Sequence, residues 1–280
     1  MSHESRPLAE VEFVAFDLET TGLHPVASQI VEIGAVRFRA DGTVLDQFDQ
    51  LVNPQCEIPA IVSKVHGITD QMVTGQPTIT EVLPKLIEFF AESSGVLLAH
   101  NAQFDLGFLS VALSRMGLRP PSHPVLDTCT LARRRMTLAN YKLETIGRQL
   151  RLIESERHRA LDDAILLKDV FSHLISKSPA LGHTADLFQL APQLGFEQFA
   201  ALIDEAPEGY EGLWQAISAA EPIEINYRSG TSPGYSRNIT PRSVMRMRGQ
   251  IYLAAYCHQS ACDKTFRLDR IISYRRIGSR

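Results

Sequence analysis

Four acidic side chains occupy positions that the sequence pattern directs toward the protein interior. Residues 12–18 are an apolar run rich in strand-forming residues and are expected to form a strand. Asp17 lies near the end of this run, and Glu19 directly follows it. Because side chains alternate across a strand, both carboxylates face the same side, about 7 Å apart along the chain. Asp105 and Asp163 each fall on the apolar stripe of a predicted amphipathic helix. A buried carboxylate is costly without a partner, so we expect the four to meet.

Carboxylates gathered at one point favour hard divalent cations, because Mg²⁺ and Mn²⁺ prefer oxygen ligands. Two such ions about 4 Å apart can clamp the attacking and leaving oxygens of a phosphoryl displacement. Histidine changes charge near neutral pH, so His158, five residues before Asp163, could take a proton from the attacking water. The pattern therefore predicts metal-assisted hydrolysis of a phosphodiester.

Each of these residues also has a simpler interpretation. Asp17 and Glu19 could mark a polar strand end that runs into a Thr-Gly turn. Asp105 could serve the dipole of a helix N-terminus, and His158 could be a surface or capping residue. One inward-facing acid is an ordinary coincidence, whereas four of them favour a shared site.

Composition narrows the class of protein. The chain has 280 residues, 44% hydrophobic and 21% charged, which is ordinary for a soluble globular protein. We find no apolar run long enough to span a membrane and no signal-peptide pattern. The four cysteines are scattered, which excludes a disulfide framework, and Cys257, His258 and Cys262 make only a weak zinc pattern. We therefore expect a cytoplasmic protein without membrane association.

The net charge of −4 is divided unevenly along the chain. Residues 223–280 hold eleven Lys and Arg against three Asp and Glu, a net of +8, whereas residues 178–222 hold seven acids and no base. This asymmetry favours two bodies with different partners, and a basic module suits a polyanion. A small sheet with solvated arginines explains the C-terminal charge equally well.

The order of predicted elements indicates an α/β domain followed by a β-rich one. Strands are expected at 12–18, 29–39, 43–52 and 95–99, with an Asp-Gly hairpin between the second and the third. Amphipathic helices are expected between and after them. Short strands resume after residue 223, at a spacing that is typical of a small barrel.

Three segments resemble the three motifs of the DEDDh branch of the DnaQ-like exonucleases, which include polymerase epsilon subunits. They are residues 16–22, 100–105 and 158–164, with the sequences Phe-Asp-Leu-Glu-Thr-Thr-Gly, His-Asn-Ala-Gln-Phe-Asp and His-Arg-Ala-Leu-Asp-Asp-Ala. The motifs occur in order at typical separations, and the resemblance covers about residues 10–177. Residues 65–69, Val-His-Gly-Ile-Thr, also resemble the family's segment between its first two motifs.

This resemblance implies a ribonuclease H-like fold, with a mixed sheet flanked by helices, and 3′→5′ removal of single nucleotides from single strands. It implies two divalent metal ions, Mg²⁺ or Mn²⁺, with the four acids as ligands and His158 as the general base. All five catalytic positions hold the expected residue, which disfavours an inactive relative. The resemblance also implies a pocket for the 3′-terminal nucleotide. The matching positions are Thr20, Leu23, His66, Asn101 and Phe104.

Residues 220–275 resemble a WYL domain, which has a small Sm-like β-barrel. The match includes the segment Ile-Tyr-Leu-Ala-Ala-Tyr-Cys that begins at Ile251, where tryptophan is usual. WYL domains are ligand-sensing or nucleic-acid-binding modules, so the resemblance implies a polar pocket. The candidate residues for it are Arg242, Tyr252, Arg267 and Arg270. The arginines could equally make intramolecular pairs that hold the last strand.

We therefore predict an exonuclease domain over residues 8–177, an acidic helical linker over 178–220 and a WYL-like barrel of the Sm or SH3 type over 221–280. The predicted activity is metal-dependent 3′→5′ exonucleolysis of single-stranded nucleic acid, with DNA favoured and RNA allowed. The C-terminal module would guide the substrate or sense a nucleotide ligand. Two alternatives stay open: a proofreading subunit of a DNA polymerase, and a nucleic-acid-binding regulator that uses the nuclease fold only to bind ends.

Overall fold

The computed structural model describes residues 5–93, 95–153, 158–177, 180–203, 205–228, 234–247 and 249–277. The chain divides into two compact units, each with its own sheet and hydrophobic core. The first unit comprises Met1–Leu23, Ser28–Leu106 and Pro121–Gly195. The second comprises His24–Ala27, Gly107–Pro120 and Phe196–Arg280.

A mixed five-stranded sheet forms the centre of the first unit, in the order β3-β2-β1-β4-β5. Its strands are β1 (Glu12–Thr20), β2 (Ile30–Arg39), β3 (Val44–Leu51), β4 (Val96–Ala99) and β5 (Val125–Asp127). The first three strands pair antiparallel, whereas β4 runs parallel to β1 and β5 runs parallel to β4. This is the mixed sheet of a ribonuclease H-like fold, which confirms that part of the prediction.

Helices lie between and after these strands along the chain. They are α1 (Ala60–His66), α2 (Asp70–Val73), α3 (Ile79–Ala91), α4 (Gln103–Arg115), α5 (Thr128–Arg135), α6 (Leu143–Gln149), α7 (Ala160–Ser176) and α8 (Thr184–Leu190). The longest, α7, packs against β1 and β2, and its Phe171 ring lies 4.8 Å from Phe13 and 6.1 Å from Phe38 between centroids. Of the helices that the structure describes, none is long and apolar enough to cross a lipid bilayer.

Strand β1 continues two residues beyond the predicted end at 18. Its last two residues still pair with β2: Glu19 lies opposite Glu32 and Thr20 lies opposite Ile30. The register shifts between Glu19 and Thr20. The alternation along β1 is the predicted one. Phe16 and Leu18 are buried, while Asp17 and Glu19 face the other side and are half-buried.

Helix α4 begins at Gln103, two residues after Asn101. The backbone of Asn101 adopts a left-handed conformation, with φ of 63°, which a helix cannot continue through. Its N–H donates to Asp127 Oδ1 at 2.9 Å. The helix therefore starts at Gln103, and Asp105 lies in its first turn.

The second unit contains a β-rich C-terminal sheet in the order β10-β9-β8-β7-β11, with β6 paired to β8. Its strands are β6 (Ala201–Leu202), β7 (Ile223–Tyr227), β8 (Tyr235–Met247), β9 (Gln250–Cys257), β10 (Cys262–Arg267) and β11 (Ile271–Arg276). Helix α9 (Glu211–Ala219) buries Leu213 and Ala216 in the core of this sheet.

The predicted closure of these strands into an Sm- or SH3-type barrel is not what the structure shows. Over the described strands the pairing forms an open path, whose ends are β10 on β9 and β11 on β7. Residues Leu268–Arg270 form one turn of 3-10 helix after β10 and redirect the chain, so β11 pairs with β7. The β-rich character of the region is confirmed.

Candidate active site

The carboxylates of Asp17, Glu19 and Asp163 converge at one point of the first unit. One oxygen from each lies within 4.8 Å of the others. Asp17 and Glu19 share a face because they are two residues apart on β1. Asp163 lies in the first turn of α7, which packs against β1 and β2. The structure thus brings three of the predicted residues together, while their roles stay predictions.

Asp105 is the fourth acid, and only 2% of its surface is exposed. Its Oδ1 has no hydrogen-bond partner among the described residues. Burial, and then repulsion from Asp105 and Asp163, raises the pKa of Asp17 well above its ordinary value. Burial also raises the pKa of Asp105, with repulsion from Glu19 in addition. The four acids therefore form one electrostatic group.

The other two acids also titrate above their ordinary range. Burial is the main cause that raises the pKa of Glu19 to about 8. Repulsion from Asp163 and Glu32 adds to this rise, and attraction to Arg159 opposes it. Burial likewise raises the pKa of Asp163 to about 6, although His158 opposes the rise. Carboxylates this close cannot all ionise without a compensating positive charge. A bound cation would relieve their repulsion.

The donor set fits a hard divalent cation. All four side chains offer carboxylate oxygens, which are the ligands that Mg²⁺ and Mn²⁺ prefer. The unpartnered Oδ1 of Asp105 agrees with this fit, because a buried acceptor without a partner is costly. Asp17, Glu19 and Asp163 could therefore hold a metal ion, and the role of Asp105 as a fourth ligand stays a prediction.

Glu19→Gln is expected to stabilise the metal-free chain at pH 8. Because the pKa of Glu19 is about 8 in the folded chain, folding favours the protonated carboxyl. Stability is therefore lost as the pH rises from about 5 through 8, and this loss disappears when the side chain cannot ionise. Allowing for solvent at this half-buried site, we expect a gain on the order of 2 kcal/mol at pH 8 and little at pH 5.

Thermal unfolding in EDTA at both pH values measures this difference. Glu12→Gln, on the same strand but outside the acidic cluster, is the matched control for the loss of a carboxylate. A variant that is no more stable than the parent at pH 8, or equally stabilised at pH 5, would contradict the electrostatic account.

A buried ion pair that the sequence analysis missed holds the start of α7 against β2. Glu32 is fully buried on β2 and lies opposite Glu19. The Nε of Arg159 donates to both of its oxygens, at 2.8 Å to Oε1 and 3.0 Å to Oε2. The Ala160 N–H also donates to Oε2, at 2.9 Å. Because Arg159 directly precedes α7, this pair positions the helix that carries Asp163.

The backbones of α7 and β2 also approach closely at Gly34. A Cβ at this position would lie 2.1 Å from Ala160 C and Leu161 N. Gly34→Ala is therefore expected to push α7 away, to destabilise the chain by at least about 2 kcal/mol and to lower activity as Asp163 moves. Thermal unfolding and a nuclease assay measure both effects.

Gly195→Ala is the matched control, because no heavy atom lies within 4 Å of its added Cβ. We expect that control to change stability by less than about 0.5 kcal/mol. Equal effects of the two substitutions would show that the close approach does not constrain α7.

An open cleft of about 600 Å³ lies beside the acids, with Asp17 and Asp163 in its lining. His158 is exposed and lines the same cleft, so a proton acceptor faces the same space as the carboxylates. Lys142, which the sequence analysis did not single out, contributes a positive charge to this lining. A cleft of this size and polarity is suitable for a charged small ligand or the end of a polymer.

His100 supports one wall of the cleft. Its Nε2 donates to the carbonyl of Tyr141 at 2.7 Å, and its Nδ1 lies 3.0 Å from Thr128 Oγ1. Burial lowers the pKa of His100, which favours the neutral ring. The hydrogen bond from His100 to the Tyr141 carbonyl thereby holds the backbone next to Lys142. A histidine at the end of an apolar strand was the available sequence signal for this role.

The five positions predicted to line a 3′-nucleotide pocket lie in different environments. Leu23 is exposed at 77%, Asn101 is exposed and Phe104 is half-buried. The Thr20 hydroxyl donates to a backbone carbonyl two residues on, at 2.7 Å. His66 is buried, and its Nδ1 accepts the N–H two residues on, at 3.0 Å. Within the described lining of the cleft none of the five appears, so their shared role stays a prediction.

The C-terminal candidates take part in local contacts. Arg242 Nη1 donates to Asp263 Oδ2 at 2.9 Å, and Arg267 Nε donates to the carboxylate two residues on, also at 2.9 Å. Tyr252 lies opposite Arg267 on the neighbouring strand, and Arg270 is exposed. These contacts agree with the alternative in which the arginines make intramolecular pairs. A shared ligand pocket stays a prediction.

The chain is similar to part of several bacterial DNA polymerases. It is 33% identical over 269 residues to the DNA polymerase III PolC-type of Halalkalibacterium halodurans, covering 92% of this chain and 17% of that protein. It is 38% identical over 268 residues to the DNA polymerase III PolC-type of Bacillus cereus, covering 92% of this chain and 18% of that protein. The chain thus spans less than a fifth of the length of these curated relatives.

Solved structures share the fold at low sequence identity. The nuclease domain of 3′hExo, a DEDDh family member bound to rAMP, has a TM-score of 0.54 and 20% identity, covering 62% of this chain and 96% of that one. The zinc-bound complex of E. coli ExoI with ssDNA has a TM-score of 0.58 and 15% identity, covering 84% of this chain and 54% of that one. At these identities the likeness shows the fold alone.

Two family models match the chain. The WYL domain model matches residues 209–276, in the β-rich C-terminal region. The Exonuclease model matches residues 14–171, which is more than half of the chain and includes all four acids and His158. The chain therefore belongs to the exonuclease family, with a WYL domain toward its C-terminus, and is a nuclease of the hydrolase class.

Proposed function

We propose that this chain removes nucleotides from the 3′ end of single-stranded nucleic acid by hydrolysing the terminal phosphodiester. The observation that carries the proposal is the meeting of three carboxylates within 4.8 Å beside a cleft lined by His158. The fourth acid, Asp105, is electrostatically coupled to this group. The resemblance to the DEDDh exonucleases supports the 3′→5′ direction.

Asp17, Glu19, Asp105 and Asp163 would hold two divalent cations, Mg²⁺ or Mn²⁺. Bound there, the ions supply Lewis-acid stabilisation for the negative charge that develops on the phosphoryl oxygens. The number of ions is what the resemblance to the DEDDh exonucleases implies. Burial is the main cause of the raised pKa values of the four acids, repulsion from neighbouring acids adds to it, and bound cations would relieve that repulsion.

His158 is proposed to be the general base. It lines the cleft together with Asp17 and Asp163, and its exposure leaves it open to water. It would accept a proton from the water that attacks the phosphorus atom. The resulting positive charge is favourable there, since His158 already opposes the rise in the pKa of Asp163.

The substrate is proposed to be single-stranded DNA, with RNA allowed. The curated relatives are DNA polymerases, which supports DNA. Lys142 is proposed to bind a backbone phosphate, because it is a basic residue that lines the same cleft as Asp17 and Asp163. Thr20, Leu23, His66, Asn101 and Phe104 are kept as candidates for contacts with the terminal nucleotide.

The C-terminal module is proposed to guide the substrate. We place its domain at residues 221–280, after an acidic linker over 178–220 and the exonuclease domain over 8–177. The net charge of +8 over residues 223–280 supports attraction of a polyanion. A nucleotide-sensing role finds less support, because Arg242 and Arg267 pair with neighbouring carboxylates.

A second candidate function is proofreading beside a DNA polymerase. It is favoured by similarity to PolC-type polymerases over 92% of this chain. This role predicts that a mispaired 3′ nucleotide on a primer is removed faster than a paired one, and that a replicative polymerase retains the chain on a column. Equal removal rates and no retention would favour a free-standing exonuclease.

The experiment that tests the proposed function is digestion of 5′-labelled single-stranded DNA and RNA by the full chain with Mg²⁺ or Mn²⁺. The proposal predicts a ladder that shortens from the 3′ end, one nucleotide at a time, and disappears with EDTA. If the 5′ label were released as a mononucleotide from the start of the reaction, the chain would be degrading the strand from its 5′ end. Full-length oligonucleotide under all conditions would overturn the proposal for these substrates and favour a regulator that only binds ends.

A further inference from the structure

Two cysteines face each other across the turn that joins β9 and β10. Strand β9 ends at Cys257 and β10 begins at Cys262, with four residues between them. The antiparallel register places these two residues directly opposite each other. Directly opposed residues have Cα atoms about 4.5–5.5 Å apart and side chains on one face of the sheet. A disulfide spans Cα separations of about 4.4–6.8 Å, so the backbone already has the spacing for one.

The sulfur of Cys257 lies among groups that favour its thiolate form. Arg237 Nη1 donates to Sγ at 3.3 Å, and the Ser260 hydroxyl lies 3.7 Å from it. The Arg237 guanidinium is held in place because it stacks over the Tyr235 ring, 4.7 Å from the centroid, and donates to Ser260 Oγ at 3.2 Å. A fixed guanidinium beside a thiol is the environment that makes cysteine reactive.

The balance of effects on this thiol favours ionisation. Burial raises the pKa of Cys257, but the backbone hydrogen bond from Ser260 and the Arg237 guanidinium outweigh it, so the pKa lies below the ordinary cysteine value. Both Cys257 and Cys262 are free thiols, and Cys262 is the more exposed of the two. A small oxidant from solution would therefore meet Cys262 first, with Cys257 ready beside it.

We propose that Cys257 and Cys262 form an oxidation site that closes to an intramolecular disulfide when the chain meets a peroxide. The Cys262 thiolate attacks one peroxide oxygen and the O–O bond breaks. The hydroxide that leaves takes a proton to become water, and Cys262 becomes a sulfenic acid. The Cys257 thiolate then attacks the Cys262 sulfur and the S–O bond breaks. The hydroxide that leaves takes a proton to become a second water. Two thiols and one hydrogen peroxide thus give one disulfide and two waters.

The disulfide would act on the end of the C-terminal sheet. Strand β10 is the terminal strand in the order β10-β9-β8-β7-β11, so it pairs on one side, with β9. A covalent link at Cys262 would fasten the first residue of this strand to the last residue of β9. Oxidation would therefore hold the hairpin closed.

The test uses the full chain with Cys56→Ser and Cys129→Ser, which leaves only the two thiols of interest. The folded chain is treated with hydrogen peroxide, then unfolded and alkylated, and its mass is measured by mass spectrometry. We expect a monomer that has lost two hydrogens, takes up no alkylating reagent, and regains two reactive thiols after dithiothreitol. Trypsin should place the loss in the peptide from Gly249 to Lys264, which contains both cysteines.

Two further variants test whether disulfide formation needs both thiols and the Arg237 guanidinium, or only the closeness of two cysteines. Adding Cys262→Ser should abolish the loss of two hydrogens in the monomer. Adding Arg237→Gln should slow disulfide closure at pH 7 and move the pH midpoint of closure upward, because the guanidinium no longer favours the thiolate. Two thiols that stay alkylatable after peroxide, or oxidation that yields only linked dimers or sulfinic acid, would overturn the proposal. Closure that is unchanged in Arg237→Gln would overturn the role of the arginine.

Discussion

Asp17→Asn is expected to lower the rate of phosphodiester hydrolysis about a thousandfold, which corresponds to about 4 kcal/mol of transition-state stabilisation. The substitution keeps the shape of the side chain but removes one negative charge and one ligand oxygen from the cluster. The pKa of Asp17 is raised by burial, by all three other acids of the cluster and by Glu32, so Asp17 is central to the group. Single-turnover digestion of a 5′-labelled oligonucleotide with saturating Mn²⁺ measures the loss.

The same substitution should not damage the fold. Because the buried carboxylate repels its neighbours, Asn is expected to leave the metal-free chain at least as stable as the parent at pH 8. Asp162→Asn is the matched control, since Asp162 is an exposed acid in the same turn as Asp163. A loss of activity in both variants, or in neither, would contradict the assignment of Asp17 to the cation site.

Arg159→Met is expected to destabilise the chain by about 3 kcal/mol, which is roughly 6–12 °C in unfolding temperature. The substitution leaves the fully buried Glu32 without its cationic partner, and an uncompensated buried charge is costly. Because Arg159 itself is partly exposed, the lower end of the range for buried pairs applies. Activity should also fall, since this pair positions the helix that carries Asp163.

Two controls identify the cause. Combining Glu32→Gln with Arg159→Met should restore most of the lost stability, because no buried charge is then left unpaired. Arg148→Met breaks a pair with the half-buried Glu144 within one helix, more exposed than the pair with Glu32, and should cost less than about 1 kcal/mol. A double variant that is as unstable as Arg159→Met alone would show that packing, and not charge, explains the effect.

Local sequence pattern was sufficient to predict that Asp17, Glu19 and Asp163 would lie close together. The two-residue period of a strand places Asp17 and Glu19 on one face, and the apolar stripe of α7 predicts its burial from Ala160 to Leu174. These inferences need only the neighbours along the chain. The α/β order and the Asp-Gly hairpin followed in the same way, whereas the mixed sheet was implied by the resemblance to the DEDDh exonucleases.

Features that depend on distant pairing were not predictable from local pattern. The bond between Glu32 and Arg159 joins residues 127 positions apart and requires the register that places Glu32 opposite Glu19. The start of α4 at Gln103 depends on the left-handed backbone of Asn101 and on its bond to Asp127. The open path of the C-terminal sheet depends on a 3-10 turn that spacing alone does not reveal.

The measurement that tests the central claim most directly is a titration of the full chain with Mn²⁺, in which the electron paramagnetic resonance signal reports the free ion. The account predicts saturable binding of two ions per chain, lower stoichiometry and weaker affinity in Asp17→Asn, and unchanged binding in Asp162→Asn. Binding that is identical in the parent and Asp17→Asn, or no binding by the parent at millimolar Mn²⁺, would contradict the claim that these four carboxylates form a cation site.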